Sequence, residues 1–103
     1  MNQFKSFKHG GFHITINGIT LSVQFGAGNY CDNYNNGDFG GEANSWESSD
    51  AEIAIWGEDG IWITEKVIKK VLKENTGGNT VMGWVTPLQI GKIISWMTRR
   101  KTT

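Results

Sequence analysis

Hydrophobic and polar residues alternate on both sides of the Asn17-Gly18 pair. The segments from Phe12 to Ile16 and from Ile19 to Phe25 each have an apolar side chain at every second position. Because Asn-Gly tolerates the positive φ angles of a type I′ turn, this pattern predicts a β-hairpin. The predicted register pairs Ile16 with Ile19, Ile14 with Leu21, and Phe12 with Val23, all on one face. The polar residues predicted on the other face are His13, Thr15, Thr20, Ser22 and Gln24.

A second pair of short apolar runs predicts another hairpin. Ala51 to Trp56 and Ile61 to Thr64 lie on either side of Gly57 to Gly60. The turn is either the two residues Asp59-Gly60 or all four residues of the loop. The chain before the first hairpin, Met1 to Gly10, is mostly polar and predicts a loosely held terminus.

Two helical patterns follow. Thr64 is predicted to cap a helix from about Glu65 to Asn75, which Gly77-Gly78 would end. Thr80 to Val85 then predicts a fifth strand. Thr86 to Gln89 has the capping-box spacing, with proline at the first helical position, and predicts a last helix to about Thr98. The apolar residues that recur at helical spacing in it are Ile90, Ile93, Ile94 and Met97.

This order of elements predicts the α+β class. Two hairpins and one further strand would form an antiparallel or mixed sheet of about five strands, with two helices packed on one face. A chain of 103 residues fits a single domain, 1–103. The single Cys31 cannot form an internal disulfide, and no apolar run has the length of a membrane span or a signal peptide. We therefore expect a cytoplasmic protein.

The charges are segregated, although the formal net charge is zero. Of the ten acidic residues, only Glu74 lies outside the segment from Asp32 to Glu65, and no Lys or Arg lies between His9 and Glu65. An acidic middle with basic ends is typical of an ordinary solvated surface, or of a basic part that meets an anion or an acidic partner. A net charge of zero also allows self-association, so we expect a homo-oligomer.

The segment from Gly26 to Glu47 has neither a helical nor an alternating period. Glycine and asparagine dominate it, and a structureless loop of this length is uncommon in a compact domain unless it is functional or disordered. Loops on a rigid sheet often carry recognition groups. We therefore predict ligand-binding residues in this loop and at the start of the next strand. They are Gly26, Gly28, Asn29, Tyr30, Asp32, Asn33, Tyr34, Trp46, Ser48, Ser49 and Asp50.

Cofactor and metal signatures are incomplete. Gly26 to Cys31 follows a strand, but it lacks the third glycine and the following helix of a dinucleotide-binding loop. Asp32 to Ala43 departs from a calcium loop at its third position and at its final carboxylate. The candidate zinc ligands lack paired spacing; they are His9, His13, Cys31 and Asp32. We predict neither a cofactor nor a metal site.

Two catalytic alternatives stay open. Cys31 could act as a nucleophile with His13 as its base, although a lone cysteine at a strand end is more often a small buried group. Asp50 and Glu52 share one strand face, which would suit acid–base chemistry, but solvated strand residues have the same spacing. A small Cys- or carboxylate-dependent enzyme is therefore our third hypothesis, and we expect no catalytic residues.

Three segments resemble small uncharacterised proteins of phages and prophages. They are Thr20 to Asn33, Ser48 to Trp56, and Gly83 to Pro87, so the likeness spans most of the chain. The resemblance implies no activity and no functional residue. It implies the cytoplasm of an infected or lysogenic bacterial host, and a context in which small accessory proteins resemble counter-defence factors that act stoichiometrically.

Two binding functions follow from the loop and its context. The first is a non-enzymatic, oligomeric binder that sequesters a small anionic, nucleotide-derived signal, with aromatic rings and amides reading a flat ligand. The loop acids would repel phosphate, so this function requires basic groups from a helix or a neighbouring subunit. The alternative is an inhibitor whose acidic central loop imitates nucleic acid and binds a host defence complex. We expect neither a membrane partner nor direct nucleic-acid binding.

Overall fold

Five antiparallel strands form one open sheet in the computed structural model, in which residues 2–35 and 47–100 are described. The strands are β1 (Gln3–Phe7), β2 (Gly11–Ile16), β3 (Ile19–Gln24), β4 (Ala51–Gly57) and β5 (Met82–Val85). Their order across the sheet follows their order along the chain. The predicted α+β class is confirmed, and every strand pairing in this sheet is antiparallel.

Two helical segments cover one face of the sheet. The first comprises α1 (Thr64–Val67) and a π-helical continuation (Ile68–Leu72), and the second is α2 (Pro87–Arg99). The core between helices and sheet is mainly apolar, and its most buried apolar side chains include Leu21, Ile53, Ile55, Ile68, Ile93 and Met97. Neither helix has the length and apolar character that crossing a bilayer requires, and no other helix occurs in the described residues.

The β2–β3 hairpin has the predicted register. Asn17 and Gly18 form its turn with φ angles of 52° and 79°, as a type I′ turn requires. Thr15 and Thr20 are hydrogen-bonded through their hydroxyls at 2.9 Å on the face away from the helices. The alternation of side chains was therefore sufficient to place each residue of this hairpin on its face.

The turn also holds the C-terminal end of α2. The Asn17 side-chain amide donates to the Met97 carbonyl at 3.0 Å, and the Arg100 guanidinium donates to the Asn17 carbonyl at 2.5 Å. Free carbonyls at a helix C-terminus need such donors. One side chain in the first third of the chain thus caps the last helix.

The prediction of a loose N-terminus was wrong. Gln3–Phe7 pairs with β2 over its full length and forms an edge strand. Its residues are mostly exposed, and Phe4 is 77% exposed. An edge strand that buries little side-chain surface is held mainly by backbone hydrogen bonds, which leave no periodic signal in the sequence.

The second hairpin differs from both predicted turns. Gly57 donates its N–H to the Ile61 carbonyl at 3.0 Å, which leaves a three-residue loop, and Gly60 has a φ of 81°. A three-residue loop that ends in a left-handed glycine is a common hairpin connection. Beyond it the predicted strand Ile61 to Thr64 is reduced to one bridge between Trp56 and Trp62, and α1 follows at once.

The first helix also departs from its prediction. Thr64 is not the cap, because its buried hydroxyl accepts from the Ile55 N–H at 2.9 Å and ties the helix to β4. The helix ends at Leu72, since Lys73 has a left-handed φ of 59°, well before the predicted glycine pair. For α2 the prediction is confirmed, with both bonds of the capping box between Thr86 and Gln89 present.

Candidate functional site

Two carboxylates hold the loop that follows β3. One oxygen of Glu52 accepts from the Asn29 side-chain amide at 3.1 Å and from the Tyr30 N–H at 3.3 Å. Asp50 accepts from the Asp32 N–H at 2.8 Å. The i, i+2 spacing of Asp50 and Glu52, which also fits acid–base chemistry, thus serves to attach the loop to β4.

The loop is closed by its own polar groups as well. Asn29 accepts from the Gly26 N–H at 2.9 Å, and Gly28 donates its N–H to the Tyr34 carbonyl at 2.9 Å. Gly26 cannot carry a side chain here, because a Cβ would collide with the backbone carbonyl of His9. The asparagine and glycines predicted as ligand-binding residues therefore have structural roles in forming the loop.

Asn33 joins the loop to the segment that precedes β4. Its buried side-chain amide donates to the Phe25 carbonyl at 2.8 Å and to the Glu47 carbonyl at 3.0 Å. In that segment the Ser48 hydroxyl donates to the Asp50 carbonyl at 2.7 Å. The Ser49 hydroxyl donates to the Asp32 carboxylate. Both ends of the predicted site are therefore in direct contact.

The loop presents two aromatic rings that stack with a third on β5. Tyr30 lies between Tyr34, at a centroid distance of 5.8 Å and an interplanar angle of 8°, and Trp84, at 5.7 Å and 19°. These distances lie in the range of offset stacking. Tyr30 is 47% exposed and Trp84 is 58% exposed. We call Tyr34, Tyr30 and Trp84 the aromatic ladder.

A β-bulge in β5 places Trp84 on the ladder. Ala51 pairs with Val85 and Ile53 with Met82, so two residues of β5 lie opposite one residue of β4. Trp84 takes the left-handed conformation, with a φ of 53°, and donates its N–H to the Tyr30 carbonyl at 2.8 Å. A bulky side chain rarely adopts this conformation, and such strain occurs preferentially at functional sites.

Cys31 follows Tyr30 in the loop, and its environment opposes a nucleophilic role. The thiol is buried and donates to the Gly26 carbonyl at 3.8 Å. Burial raises the pKa of the Cys31 thiol. Hydrogen bonds to the Asn33 backbone and the Ser48 hydroxyl oppose this rise, and the charges of Asp50 and Asp32 add smaller increases to it. The thiol form, which is a poor nucleophile, is therefore favoured.

A second aromatic cluster lies on the sheet face away from the helices. His13 packs edge-on against Phe7 at 4.5 Å and against Trp56 at 5.0 Å, and Trp62 stacks on Trp56 at 5.4 Å. Burial lowers the pKa of His13, and the positive charge of Lys5 on β1 lowers it further. The imidazole is held among aromatic rings, and none of these contacts orients it as a base for Cys31.

A groove lies between the π-helical segment and α2. It has a volume of about 540 Å³. Its basic residues are Lys70, Lys92 and Arg99, and its apolar walls include Val71, Leu88 and Trp96. We call it the basic groove. The sequence indicates a basic helix face, but only the packing of the two helices brings cations from both to one site.

The predicted site residues divide into two sets. Tyr30 and Tyr34 present their rings in the ladder, whereas the others described take part in closing the loop or attaching it. Trp46 lies outside the described residues. Trp84 was not among the predicted site residues, because strand alternation does not reveal a bulge. The available signal in the sequence is Gly83, because a glycine inside a strand often marks a bulge or a close backbone approach. In the structure a Cβ at Gly83 would approach the Tyr30 Cβ to 2.6 Å.

No family model, curated protein or solved structure matches the chain. Within residues 2–35 and 47–100, no group of three or more His, Cys, Asp or Glu residues could hold a metal ion. The interpretation of the site therefore depends on the chemistry of its own residues.

Proposed function

We propose that this protein is a non-enzymatic binding protein whose aromatic ladder recognises a partner protein with a basic surface. The observation that carries the proposal is Trp84, a large aromatic residue that is strained, more than half exposed and already stacked on Tyr30. With its resemblance to small phage and prophage proteins, the chain would act as a stoichiometric inhibitor of a host complex.

The ladder has the features of an interface hot spot. Tyrosine and tryptophan are enriched among the residues that contribute most to binding between proteins. The ladder rings are already stacked against each other, so binding would lose little side-chain entropy. Apolar rings that remain exposed in the folded protein have no role in its core, and burial by a partner would be favourable.

The charges around the ladder select the kind of partner. Asp32 is exposed beside Tyr30, and Asp50 and Glu52 lie directly behind the loop. Strands β2 to β4 and the loop contain no Lys or Arg. A negative surface steers association towards positive partners and disfavours anions.

The small anionic ligand expected from the sequence has less support at this loop. Its phosphate would meet the carboxylates of Asp32 and Asp50, and the amides of Asn29 and Asn33 already bond within the protein. The acidic inhibitor therefore becomes our first hypothesis for this surface. Homo-oligomerisation stays a prediction.

Affinity capture from bacterial lysate tests the proposal, with Tyr30→Ala compared against wild type. This substitution removes the ring and keeps the Cβ that packs on Gly83. We expect wild type to retain a basic protein or complex at low salt and to release it as salt rises. Tyr30→Ala should weaken this binding by at least about 2 kcal/mol, as for a hot-spot residue.

Phe4→Ala is the matched control, because Phe4 is an exposed aromatic residue on β1 that lies outside the ladder. It should bind like wild type. Equal binding by Tyr30→Ala and wild type, in proteins with unchanged circular dichroism, would refute the role of the ladder. Retention that is insensitive to salt would refute the basic partner.

A further inference from the structure

We propose that the basic groove binds a small aromatic anion, a planar ring that carries a phosphate group, of which a nucleoside monophosphate is the simplest example. This site is separate from the aromatic ladder and carries the opposite charge. The proposal does not depend on the protein partner proposed above.

The cations of the groove have no acidic partner among residues 2–35 and 47–100. Lys70, Lys92 and Arg99 form no ion pair in the described part of the chain, where the salt bridge present joins Lys69 to Glu65 at 2.9 Å. Glu74 is engaged by the Gln89 side-chain amide at 2.9 Å and does not line the groove. Three uncompensated positive charges around one groove attract an anion.

An aromatic ring lies at the same site as these charges. The Lys70 ammonium is 6.0 Å from the centroid of the Trp96 ring, and the Arg100 guanidinium carbon is 5.9 Å from it. A ligand ring stacked on the indole would therefore bring an attached phosphate within reach of cations. Stacking on aromatic side chains and cationic neutralisation of phosphate are the two general means of binding nucleotides.

The shape of the groove suits a ligand of this size. Its volume of about 540 Å³ lies within the range of roughly 300–1,000 Å³ that is typical of small-molecule sites. Val71 and Leu88 add apolar surface to the lining that Trp96 contributes. An apolar pocket with a few polar groups at fixed positions is the usual composition of such sites.

Gly91 supplies independent support. It lies in the interior of α2 and lines the groove, where glycine destabilises a helix relative to alanine. Apart from the local backbone of α2, no heavy atom of the described residues lies within 4 Å of a Cβ built at Gly91, so tertiary packing among them does not require glycine here. Its lack of a side chain keeps the groove open, as a binding site would need.

Titration of the protein with AMP, adenosine and inorganic phosphate tests the proposal, because adenosine carries the ring alone and phosphate the charge alone. Binding is followed by the amide and indole resonances in ¹⁵N–¹H spectra. We expect AMP to shift the Trp96 indole and the α2 amides, with an affinity at least about tenfold above either component and falling as salt is raised.

Two variants test the groove itself. Lys70→Ala should weaken AMP binding about tenfold. Lys69 is the neighbouring residue and is already paired with Glu65, so Lys69→Ala should change AMP binding less than about twofold. Gly91→Leu should raise the unfolding temperature or leave it unchanged, and abolish AMP binding by filling the groove.

Several results would overturn the proposal. One is the absence of shifts up to about 10 mM AMP, and another is shifts confined to the aromatic ladder. Equal affinities for AMP and phosphate would show that the groove does not recognise the ring. Equal affinities for AMP and adenosine would show that it does not recognise the phosphate. Equal losses in Lys69→Ala and Lys70→Ala would show nonspecific attraction to the helix instead of a site.

Discussion

The two faces of the sheet use the same strands for different purposes. On the covered face, Leu21 and Ile55 are fully buried under the helices, in the apolar core that also contains Ile93 of α2. On the open face, His13 and Trp56 lie among partly exposed rings, and Glu52 extends to hold the loop. Alternation along each strand generates both faces at once.

This difference separates stability from recognition. Burial of apolar surface supplies most of the free energy of folding, and only the covered face offers it on a large scale. The loop leans towards the open face, because Glu52 and Gln24, which bond its Asn29, point that way. Substitutions on the two faces should therefore have opposite patterns of effect on unfolding and on binding.

The largest expected effect is on the covered face. Ile93→Ala removes a fully buried side chain from α2 and should lower the free energy of unfolding by about 2–5 kcal/mol. Chemical denaturation measures it, with the exposed Leu88→Ala of the same helix as the control. A loss below about half a kcal/mol would mean that α2 does not cover the core.

Gly26→Ala should act on the loop and leave the covered core in place. The new Cβ collides with the His9 backbone, so the loop must shift and the free energy of unfolding should fall by about 1–3 kcal/mol. Amide exchange would locate the change. We expect faster exchange in residues 26–34 and unchanged exchange in α2, and equal acceleration of both would contradict the separation of the two regions.

Trp84→Gly should separate stability from binding most sharply. Glycine relieves the left-handed strain while the stacked ring is lost, so the two effects offset and stability should stay within about 1 kcal/mol of wild type. Binding of a protein partner should nevertheless be lost. A large loss of stability would instead make Trp84 a structural residue.

The smallest effect should be a dependence on pH. Burial, and then Lys5, lower the pKa of His13 below its ordinary value of 6.5, so protonation is less favourable in the folded protein than in the unfolded chain. The stability that depends on neutral His13 is fully present above the pKa of this residue in the unfolded chain. It is lost as pH falls through the pKa of His13 in the folded protein. Urea unfolding of wild type and His13→Gln at pH values around and below 6.5 measures this pH dependence. Parallel profiles of unfolding free energy against pH for the two proteins would contradict the prediction.

The sequence predicted elements well where periodicity and burial coincide. The β2–β3 register, its turn and α2 with its cap all followed from local pattern. It failed where long-range packing decides the conformation. Gln3–Phe7 is a strand because β2 offers it an edge, and Thr64 lies at a helix start because its hydroxyl binds β4.

The site was predictable only in part, for a similar reason. Tyr30 and Tyr34 were identified by their place in a glycine-rich loop, but Trp84 joins them through a bulge 50 residues away that no local pattern shows. Asp50 and Glu52 were noticed as a pair, yet their role became clear only when the loop amides were located.

The bonds of Asn17 have a consequence for the way in which the protein unfolds. The Asn17 side chain in the β2–β3 turn donates hydrogen bonds to the C-terminal end of α2, about 80 residues away along the chain. Fraying of α2 from its C-terminus must break those bonds, and opening of the hairpin must release the helix end. The β2–β3 hairpin and the C-terminal end of α2 should therefore lose their order together, as parts of one cooperative unit.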